Sequence, residues 1–376
     1  MPRVIVKRSS YQPDKLRSHI FEMMASLGGD SIQTGTRVLV KPNFLSSASP
    51  DEGVLTHPAV IKAVSEYLLE KGARVTVSDS PALGSFEKIL KDNGVRDALA
   101  DLDVGLAEFR TSIPVDIGAP FGRIDMAEEA LGADMVINLP KLKTHSQMLL
   151  TLAVKNCFGC IVGFRKAEWH MRMGVNHEMF ARLLVQIHRV VNPSMTILDG
   201  IIALEGQGPG RGGVPRHLGV LMASDSSLAV DVAVCRMLGI EPEELLTNRM
   251  ARQMGLMPER IDLEGVLPRV ENFKMPGVTS LVYGPKPVQG FVRQHLTRRP
   301  VADENLCDLC GDCQTFCPAQ AIEEAGAKLR FDYDKCIRCY CCIEVCPRGA
   351  LRTVESLPAK LFRKLTQKKD ASGRPA

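Results

Sequence analysis

The stretch CDLCGDCQTFCP at residues 307–318, with its counterpart CIRCYCCIEVCP at 336–347, decides the fold of the end of this 376-residue chain. Each stretch spells C-x2-C-x2-C-x3-C-P, and the second lies 29 residues after the first. Nine of the 12 cysteines lie between Cys307 and Cys346. A repeat of this kind indicates a duplicated half-module, and its cysteine density indicates metal binding.

Thiolate ligands at this spacing are typical of iron–sulfur chemistry. A 4Fe–4S cube needs four soft sulfur ligands, and in two-cluster proteins the fourth cysteine of such a run, before proline, binds the other cluster. We therefore predict two interlocked sets of four ligands: Cys307, Cys310, Cys313 and Cys346 for one cluster, and Cys317, Cys336, Cys339 and Cys342 for the other. The alternative is zinc, but zinc sites use pairs of C-x2-C.

Residues 303–355 resemble a bacterial-type two-cluster ferredoxin at all eight ligand positions and at Pro318 and Pro347. The resemblance implies a small α+β domain that carries one electron at a time at low potential and is sensitive to oxygen, as in anaerobic metabolism. Cys341 falls outside the pattern. It is either a packed or free thiol, or it has a redox or cluster-variant role.

The composition is that of an ordinary globular protein, with 45% hydrophobic and 24% charged residues. The length predicts two or more domains. No apolar run is long enough to cross a membrane, and the first residues lack the apolar core of a signal peptide. We therefore expect a cytoplasmic protein without a transmembrane segment. The net charge of +4 comes with no nucleic-acid-binding motif, so no nucleic-acid partner is expected.

The larger part of the chain alternates short β-branched runs with helical patterns, which predicts an α/β fold with a mainly parallel sheet. The predicted strands are Arg37–Val40, Arg74–Ser78, Met135–Leu139, Met195–Leu198 and Leu218–Met222. Helices are predicted at Pro58–Glu70 and His177–Val191. The predicted domains are residues 1–285, a linker at 286–302, the ferredoxin domain at 303–355 and a basic tail at 356–376. That tail is either a frayed end or a contact with an acidic partner or membrane surface.

Polar side chains follow several of the predicted strands. Ligands of open α/β sheets bind outside the carboxyl ends of the strands, so these side chains predict a site. The predicted substrate-binding residues are Lys41, Asn43, Lys141 and Lys143, and the predicted catalytic residues are His145, Asp199 and Glu205. The lysines suit an anionic ligand, to which the Gly-rich loop at 206–213 would add backbone N–H donors. Taken singly, each lysine is also compatible with a solvated surface position.

Four short motifs in order carry a second resemblance. They are KPN at 41–43, LPKLKTH at 139–145, KN-x-x-G at 155–159 and Asp199-Gly200. Residues 2–285 resemble the family named as domain of unknown function 362, whose members are often fused to a ferredoxin domain. The resemblance implies a shared fold and site, but no activity.

Cys157 and Cys160 form a C-x2-C pair within this region. Such pairs are redox-active or bind metal in some proteins. We favour two small buried thiols, and a third metal site with His145 or His170 is the alternative.

The sequence as a whole predicts an iron–sulfur oxidoreductase that passes single electrons from an external donor to a small anionic substrate at the large domain. Fusion supports this prediction, because a tethered donor has a high effective concentration at its acceptor. No flavin or nicotinamide motif is present. The alternative is a non-catalytic electron carrier or assembly factor that docks a redox partner protein.

Overall fold

A computed structural model describes residues 1–81, 84–163, 165–173, 176–276 and 298–354. Within them the large domain contains strands β1 Arg3–Arg8, β2 Arg37–Lys41, β3 Arg74–Asp79, β4 Val104–Glu108, β5 Ser112–Asp116, β6 Arg123–Ala127, β7 Met135–Asn138, β8 Lys141–His145, β9 Leu149–Thr151, β10 Met195–Gly206, β11 Gly213–Ser224 and β12 Asp262–Glu264. Its helices are α1 Pro13–Ser26, α2 Pro58–Glu70, α3 Phe86–Asp92, α4 Val95–Ala98, α5 Glu128–Gly132, α6 Ala153–Asn156, α7 Arg165–Met173, α8 His177–Val191, α9 Ser227–Leu238 and α10 Leu246–Gln253.

The central sheet has the order β12-β1-β11-β10-β7-β2-β3-β4, with β8 and β9 attached beside β10. Strands β10, β7, β2, β3 and β4 pair in parallel, whereas β11 is antiparallel to both of its neighbours. The predicted α/β fold with a mainly parallel sheet is confirmed. A small separate ladder joins β5 to β6.

Helices cover both faces of the sheet, as the alternation of side chains along β2 requires. Val38 and Val40 belong to the buried cluster that contains the apolar faces of α1 and α2. Leu39, which points to the other face, packs in the cluster of α8. Because β2 is buried on both sides, it reads as a continuous apolar run, which is typical of a parallel strand.

The two helices predicted from periodicity lie at their predicted bounds. Helix α2 starts after His57, whose Nδ1 accepts the Ala59 N–H, and α8 starts after Asn176, whose side chain accepts the Met179 N–H. Each acceptor satisfies one of the free N–H groups in a helical first turn.

The residues that follow the predicted strand Met135–Leu139 form a further strand. Residues 141–145 form β8, which is fully buried and pairs with β10 at Lys141↔Asp199 and Lys143↔Leu204. Strand β10 runs eight residues beyond its predicted end at Leu198 and forms a hairpin with β11. The charged residues of these two strands made them hard to recognise in the sequence. The residues that pair with those charges lie far away along the chain.

The C-terminal domain contains strands β13 Arg299–Ala302, β14 Ile322–Ala325, β15 Lys328–Phe331 and β16 Leu351–Val354, and helices α11 Asp312–Thr315 and α12 Cys341–Val345. Strand β13 pairs with β16, and β14 pairs with β15. Strand β13 thus lies within residues 286–302, the segment predicted as a linker, and pairs with the last strand of the ferredoxin domain. The rest of the predicted linker up to residue 297, and the tail from residue 355, lie outside the described residues.

Among the described residues, no helix has the length and apolar character needed to cross a membrane.

Candidate functional site at the domain boundary

The cysteines of the C-terminal repeat lie around two separate small cavities. Cys307, Cys310, Cys313 and Cys346 line one, and Cys317, Cys336, Cys339 and Cys342 line the other. The structure thus brings the eight cysteines together in the two groups that the ligand prediction specifies. Cys310 is exposed, whereas Cys339 and Cys342 are buried.

The period of 29 residues is also visible in the backbone. Left-handed φ angles recur at Leu309 and Arg338, at Gly311 and Tyr340, and at Gln320 and Gly349. In each half, the sulfur of the cysteine before proline accepts a backbone N–H: Ala321 N lies 3.3 Å from Cys317 Sγ, and Ala350 N lies 3.2 Å from Cys346 Sγ.

These features fit a 4Fe–4S cube in each cavity. Four thiols converge on one space, and each space has a sulfur with an N–H donor of its own. Among the described residues, no group of three or more His, Cys, Asp or Glu side chains is compact enough for a single metal ion. A cube is larger than one ion, so its four ligands lie farther apart than those of a single-ion site.

A larger cavity of about 260 Å³ lies between the two domains. The C-terminal domain contributes Phe316, Cys341, Glu344 and Val345 to its wall. The large domain contributes Asn43, Phe44, Leu45, Asp79, Ser80, Pro81, Gly84, Glu108, Thr151, Lys155, Asn156, Phe158, Gly159, Gly163, Lys166 and His170. The cavity thus lies beyond the ends of β2 and β3, at the edge of the sheet where ligands of α/β folds bind.

Two lysines give this cavity positive charge. Lys166 Nζ donates to the carbonyl and hydroxyl oxygens of Ser80, both at 2.8 Å, and burial lowers its pKa to about 8. Lys155 has a pKa that burial lowers, and no described residue forms a hydrogen bond or ion pair with its amine. Of these two lysines, Lys155 is therefore the one whose amine has no partner among the described residues, while Lys166 is held by Ser80.

Lys143, one of the predicted substrate-binding residues, reaches the cavity only through a chain of amides. Its Nζ donates to Asn43 Oδ1 at 2.7 Å, Asn43 Nδ2 donates to Asn156 Oδ1 at 2.7 Å, and Asn156 Nδ2 donates to Asn138 Oδ1 at 2.8 Å. Asn43 and Asn156 line the cavity, but Lys143 does not. Because Lys143 Nζ donates to Asn43 Oδ1, the Asn43 amide nitrogen faces Asn156, and the orientation of each amide along the chain follows from the one before it.

Lys41 and Lys141, also predicted to bind substrate, form buried ion pairs instead of lining the cavity. Lys41 Nζ lies 2.9 Å from Asp79 Oδ1, and Lys141 Nζ lies 2.7 Å from Asp199 Oδ2. Asp199 also accepts from the Tyr11 hydroxyl at 2.7 Å. Burial alone would raise the pKa of Asp199, but Lys141 and these hydrogen bonds lower it. Asp199 is therefore a buried anchor between strands rather than a group open to substrate.

His145 lies behind the cavity and holds the C-terminal domain. Its Nδ1 accepts the N–H groups of Gln147 and Met148, so its hydrogen is on Nε2, which lies 2.8 Å from Glu344 Oε1. Burial, with help from Lys155, lowers the pKa of His145 to about 4. Burial opposes ionisation of Glu344, but His145 and Lys155 lower its pKa to about 2. A neutral imidazole thus lies in close contact with a buried carboxylate across the domain boundary, although the two atoms do not meet the geometry of a hydrogen bond.

Glu205, the remaining predicted catalytic residue, lies apart from this cavity. Its carboxylate is 2.8 Å from Arg216 Nη1 and accepts the Lys274 N–H at 3.1 Å. These contacts hold the Glu205 carboxylate at the β10–β11 hairpin, away from the cavity.

The Gly-rich loop between β10 and β11 packs on the C-terminal domain. A side chain at Gly210 would lie 3.0 Å from the Glu344 carbonyl oxygen. Arg211 donates to the Pro347 carbonyl at 2.7 Å and pairs with Glu52 at 3.0 Å. The glycines allow two backbones to approach each other, so the loop is a docking element and not the anion-binding loop that the sequence suggested.

Cys157 and Cys160 are fully buried in a short 3₁₀ turn beside the Lys41–Asp79 pair. Burial raises the pKa of Cys160 to about 12 and also raises the pKa of Cys157 well above its usual value. Neither lines the cavity, and thiols this hard to ionise favour the packing role.

Several residues that line the cavity were not assigned to this site from the sequence. Lys166 and His170 stand four residues apart on α7, so helical spacing alone places them on one face. Thr151 and Glu344 carry no comparable signal, because only tertiary packing brings them to the cavity.

Comparisons with known proteins match both parts of the chain. The family described as "Domain of unknown function (DUF362)" matches residues 38–236, and the family described as "4Fe-4S dicluster domain" matches residues 299–347. The thylakoid-associated protein of Synechocystis sp. is 37% identical over 281 residues, which cover 73% of this chain and 87% of that protein. Pyruvate synthase subunit PorD of Methanocaldococcus jannaschii is 32% identical over 82 residues, covering 21% of this chain and 95% of that subunit.

Among solved structures, the lactate racemase apoprotein from Thermoanaerobacterium thermosaccharolyticum aligns with a TM-score of 0.37 and 10% identity, covering 54% of this chain and 51% of that one. A likeness this small supports no inference.

Proposed function

Because the chain belongs to the DUF362 family and ends in a ferredoxin-type iron–sulfur domain, we propose that it is an oxidoreductase that passes single electrons from an external donor to an anionic substrate in the cavity between its two domains. Two 4Fe–4S clusters are proposed, held by the two sets of four cysteines. When bound, the clusters supply one-electron transfer at low potential.

The position of the cavity is the observation that carries this proposal. Two of its wall residues, Phe316 and Cys341, directly precede the proposed ligands Cys317 and Cys342 in the chain. The cavity wall is therefore adjacent in the chain to two ligands of the second set. The first set includes the exposed Cys310, which supports a donor that docks on the outer side.

The residues proposed to contact substrate differ from those that the sequence indicated. Lys155 and Lys166 provide the positive charge, while Asn43 and Asn156 provide amides held by Lys143. Lys41 and His145 contact the wall residues Asp79 and Glu344 from behind, whereas Lys141 and Asp199 pair with each other away from the wall.

The test is anaerobic reoxidation of the dithionite-reduced full chain by a panel of small organic acids. We expect about eight irons per chain and faster reoxidation by at least one acid. Leu45→Trp, which fills the cavity wall, should abolish this acceleration without changing the iron content. Leu102→Trp is the matched control, since Leu102 packs on the same core away from the cavity.

If no acid accelerates reoxidation, or if Leu45→Trp responds like the parent chain, the cavity is not the acceptor site. The second candidate function then applies, namely a carrier or assembly factor that docks a redox partner. The specific support for it is that PorD, similar to the C-terminal domain, is named as a subunit of a larger enzyme. Co-purification of a redox protein with the full chain tests it.

A further inference from the structure

Three polar side chains in the inter-domain cavity lack partners among the described residues. Thr151 and His170 are only 3% and 5% exposed, yet Thr151 Oγ1 and His170 Nδ1 have no hydrogen-bond partner. Lys155 lines the same cavity with an amine that forms no described hydrogen bond or ion pair. A buried polar group without a partner costs roughly 1–3 kcal/mol. A ligand that accepts hydrogen bonds from all three would remove that cost.

These three groups suit one negative charge. The lysine ammonium, the threonine hydroxyl and a histidine N–H are all donors, and burial keeps His170 neutral by lowering its pKa to about 4. Glu108 and Glu344 line the same cavity. Their negative charge repels a dianion more strongly than a monoanion, which favours a carboxylate over a phosphate.

Three aromatic rings also line the cavity, and two of them pack against other rings. Phe44 packs edge-on against Phe86 with ring centroids 6.0 Å apart, and Phe158 packs against Phe180 at 5.4 Å. Phe316 adds a third ring from the C-terminal domain. A volume of about 260 Å³ is just below the range of drug-sized pockets, so the occupant is a small molecule.

We propose that the cavity binds a small organic acid whose carboxylate lies at Lys155, Thr151 and His170 and whose flat apolar part lies among Phe44, Phe158 and Phe316. The inference rests on the proposed function and names the substrate class of that site. It also assigns the anionic group to residues other than Lys41, Lys141 and Lys143.

The experiment is calorimetric titration of the oxidised, cluster-loaded full chain with benzoate, inorganic phosphate and benzyl alcohol as probes. Benzoate should bind more tightly than the other two. Lys155→Gln should weaken benzoate binding about tenfold or more, since a hydrogen bond to a charged group is lost. Thr151→Val and His170→Phe should weaken it to a smaller extent, and Lys155→Arg should restore part of the affinity. Lys88→Gln, on an exposed lysine of α3, should have no effect.

Tighter binding of phosphate or benzyl alcohol than of benzoate would overturn the proposal. So would equal benzoate affinity in the parent chain and Lys155→Gln, or absence of benzoate binding. Because the titration uses oxidised protein and no donor, its result is independent of electron transfer. The cavity can thus fail to bind a carboxylate while the reduced protein still delivers electrons to another acceptor. Equally, benzoate can bind in the cavity while the reduced protein delivers no electrons to any of the acids.

Discussion

At the scale of single residues, His188 shows how burial alone sets a protonation state. It lies on α8, its Nε2 is buried without a hydrogen-bond partner, and burial lowers its pKa to about 4. The unfolded chain takes up a proton at this histidine below about pH 6.5, whereas the folded chain does so only near pH 4. Its contribution to stability is therefore lost as the pH falls from 6.5 towards 4.

We predict that His188→Leu reduces the acid sensitivity of the fold. The difference in free energy of unfolding between pH 7 and pH 5 should shrink by up to about 2 kcal/mol. The measurement is the melting temperature at pH 8, 7 and 5, compared with the parent chain. Between pH 8 and pH 7 the melting temperatures of the two proteins should change by the same amount. Loss of clusters in acid affects both proteins equally. An unchanged difference between pH 7 and pH 5 would show that His188 is accessible to protons in the folded state.

Single charged residues also mark the limit of the sequence-based prediction of the site. The sequence places Lys41, Lys141 and Asp199 near the carboxyl ends of strands. In the structure Lys41 ends β2, whereas Lys141 begins β8 and Asp199 lies within β10. Their burial was not predictable, because it depends on Asp79 and Tyr11, which lie 38 and 188 residues away from their partners. When no carboxylate is near a lysine in the sequence, the sequence cannot distinguish a lysine that pairs with a distant residue from one that has no partner.

At the scale of secondary-structure elements, Gly208 shows why the loop between β10 and β11 is rich in glycine. Its N–H donates to Thr144 Oγ1 at 3.2 Å, and its carbonyl accepts the Ser146 N–H at 3.2 Å. An added Cβ would collide with the Thr144 carbonyl oxygen. The loop is thus pressed against β8 on one side, while Gly210 faces the C-terminal domain on the other.

We predict that Gly208→Ala moves this loop and loosens the docking of the C-terminal domain. Overpacking of this kind costs typically about 1–3 kcal/mol, so the melting temperature should fall. Amide hydrogen exchange at residues 343–349 should become faster. Gly132→Ala is the control, because a Cβ there meets no atom within 4 Å. If both variants exchange at the parental rate, the loop does not hold the domain.

Elements with local signals were the ones that sequence reasoning recovered. Helices α2 and α8 have apolar residues at helical spacing and an N-cap residue, and β2, β3 and β7 are apolar runs. Strand β8 has the sequence KLKTH, which no periodicity rule assigns to a buried strand. Its lysines satisfy their charges through tertiary contacts, which override local propensity.

At the scale of the whole molecule, the candidate site belongs to neither domain alone. Motif spacing predicted the grouping of the cluster cysteines, because eight residues at fixed intervals leave little freedom. The cavity between the domains was not predictable in the same way. It depends on the contact between Glu344 and His145, which are 199 positions apart in the chain. It also depends on the packing of the loop at 206–213, whose glycines were interpreted from the sequence as part of a ligand-binding site.

Two side-chain contacts between the described parts of the two domains differ in burial. The Glu344 and His145 side chains are 9% and 0% exposed, whereas Arg211, which donates to the Pro347 carbonyl, is 37% exposed. Truncation of one partner of a buried polar contact that carries a charge typically costs about 2–5 kcal/mol across an interface. A contact made by an exposed charged side chain contributes about 0–1 kcal/mol, because water and salt screen it.

We therefore predict that Glu344→Ala releases the C-terminal domain from the large domain, while Arg211→Ala leaves it docked. Small-angle X-ray scattering of the cluster-loaded full chain should show a larger radius of gyration for Glu344→Ala only. Both variants keep all eight proposed ligands, so their iron contents should match that of the parent chain and exclude cluster loss as the cause. A parental radius of gyration for Glu344→Ala would mean that the packing of Gly210 and Gly349 against the facing backbones holds the domains without the buried carboxylate. In that case His145 would orient Glu344 at the cavity wall without contributing to docking.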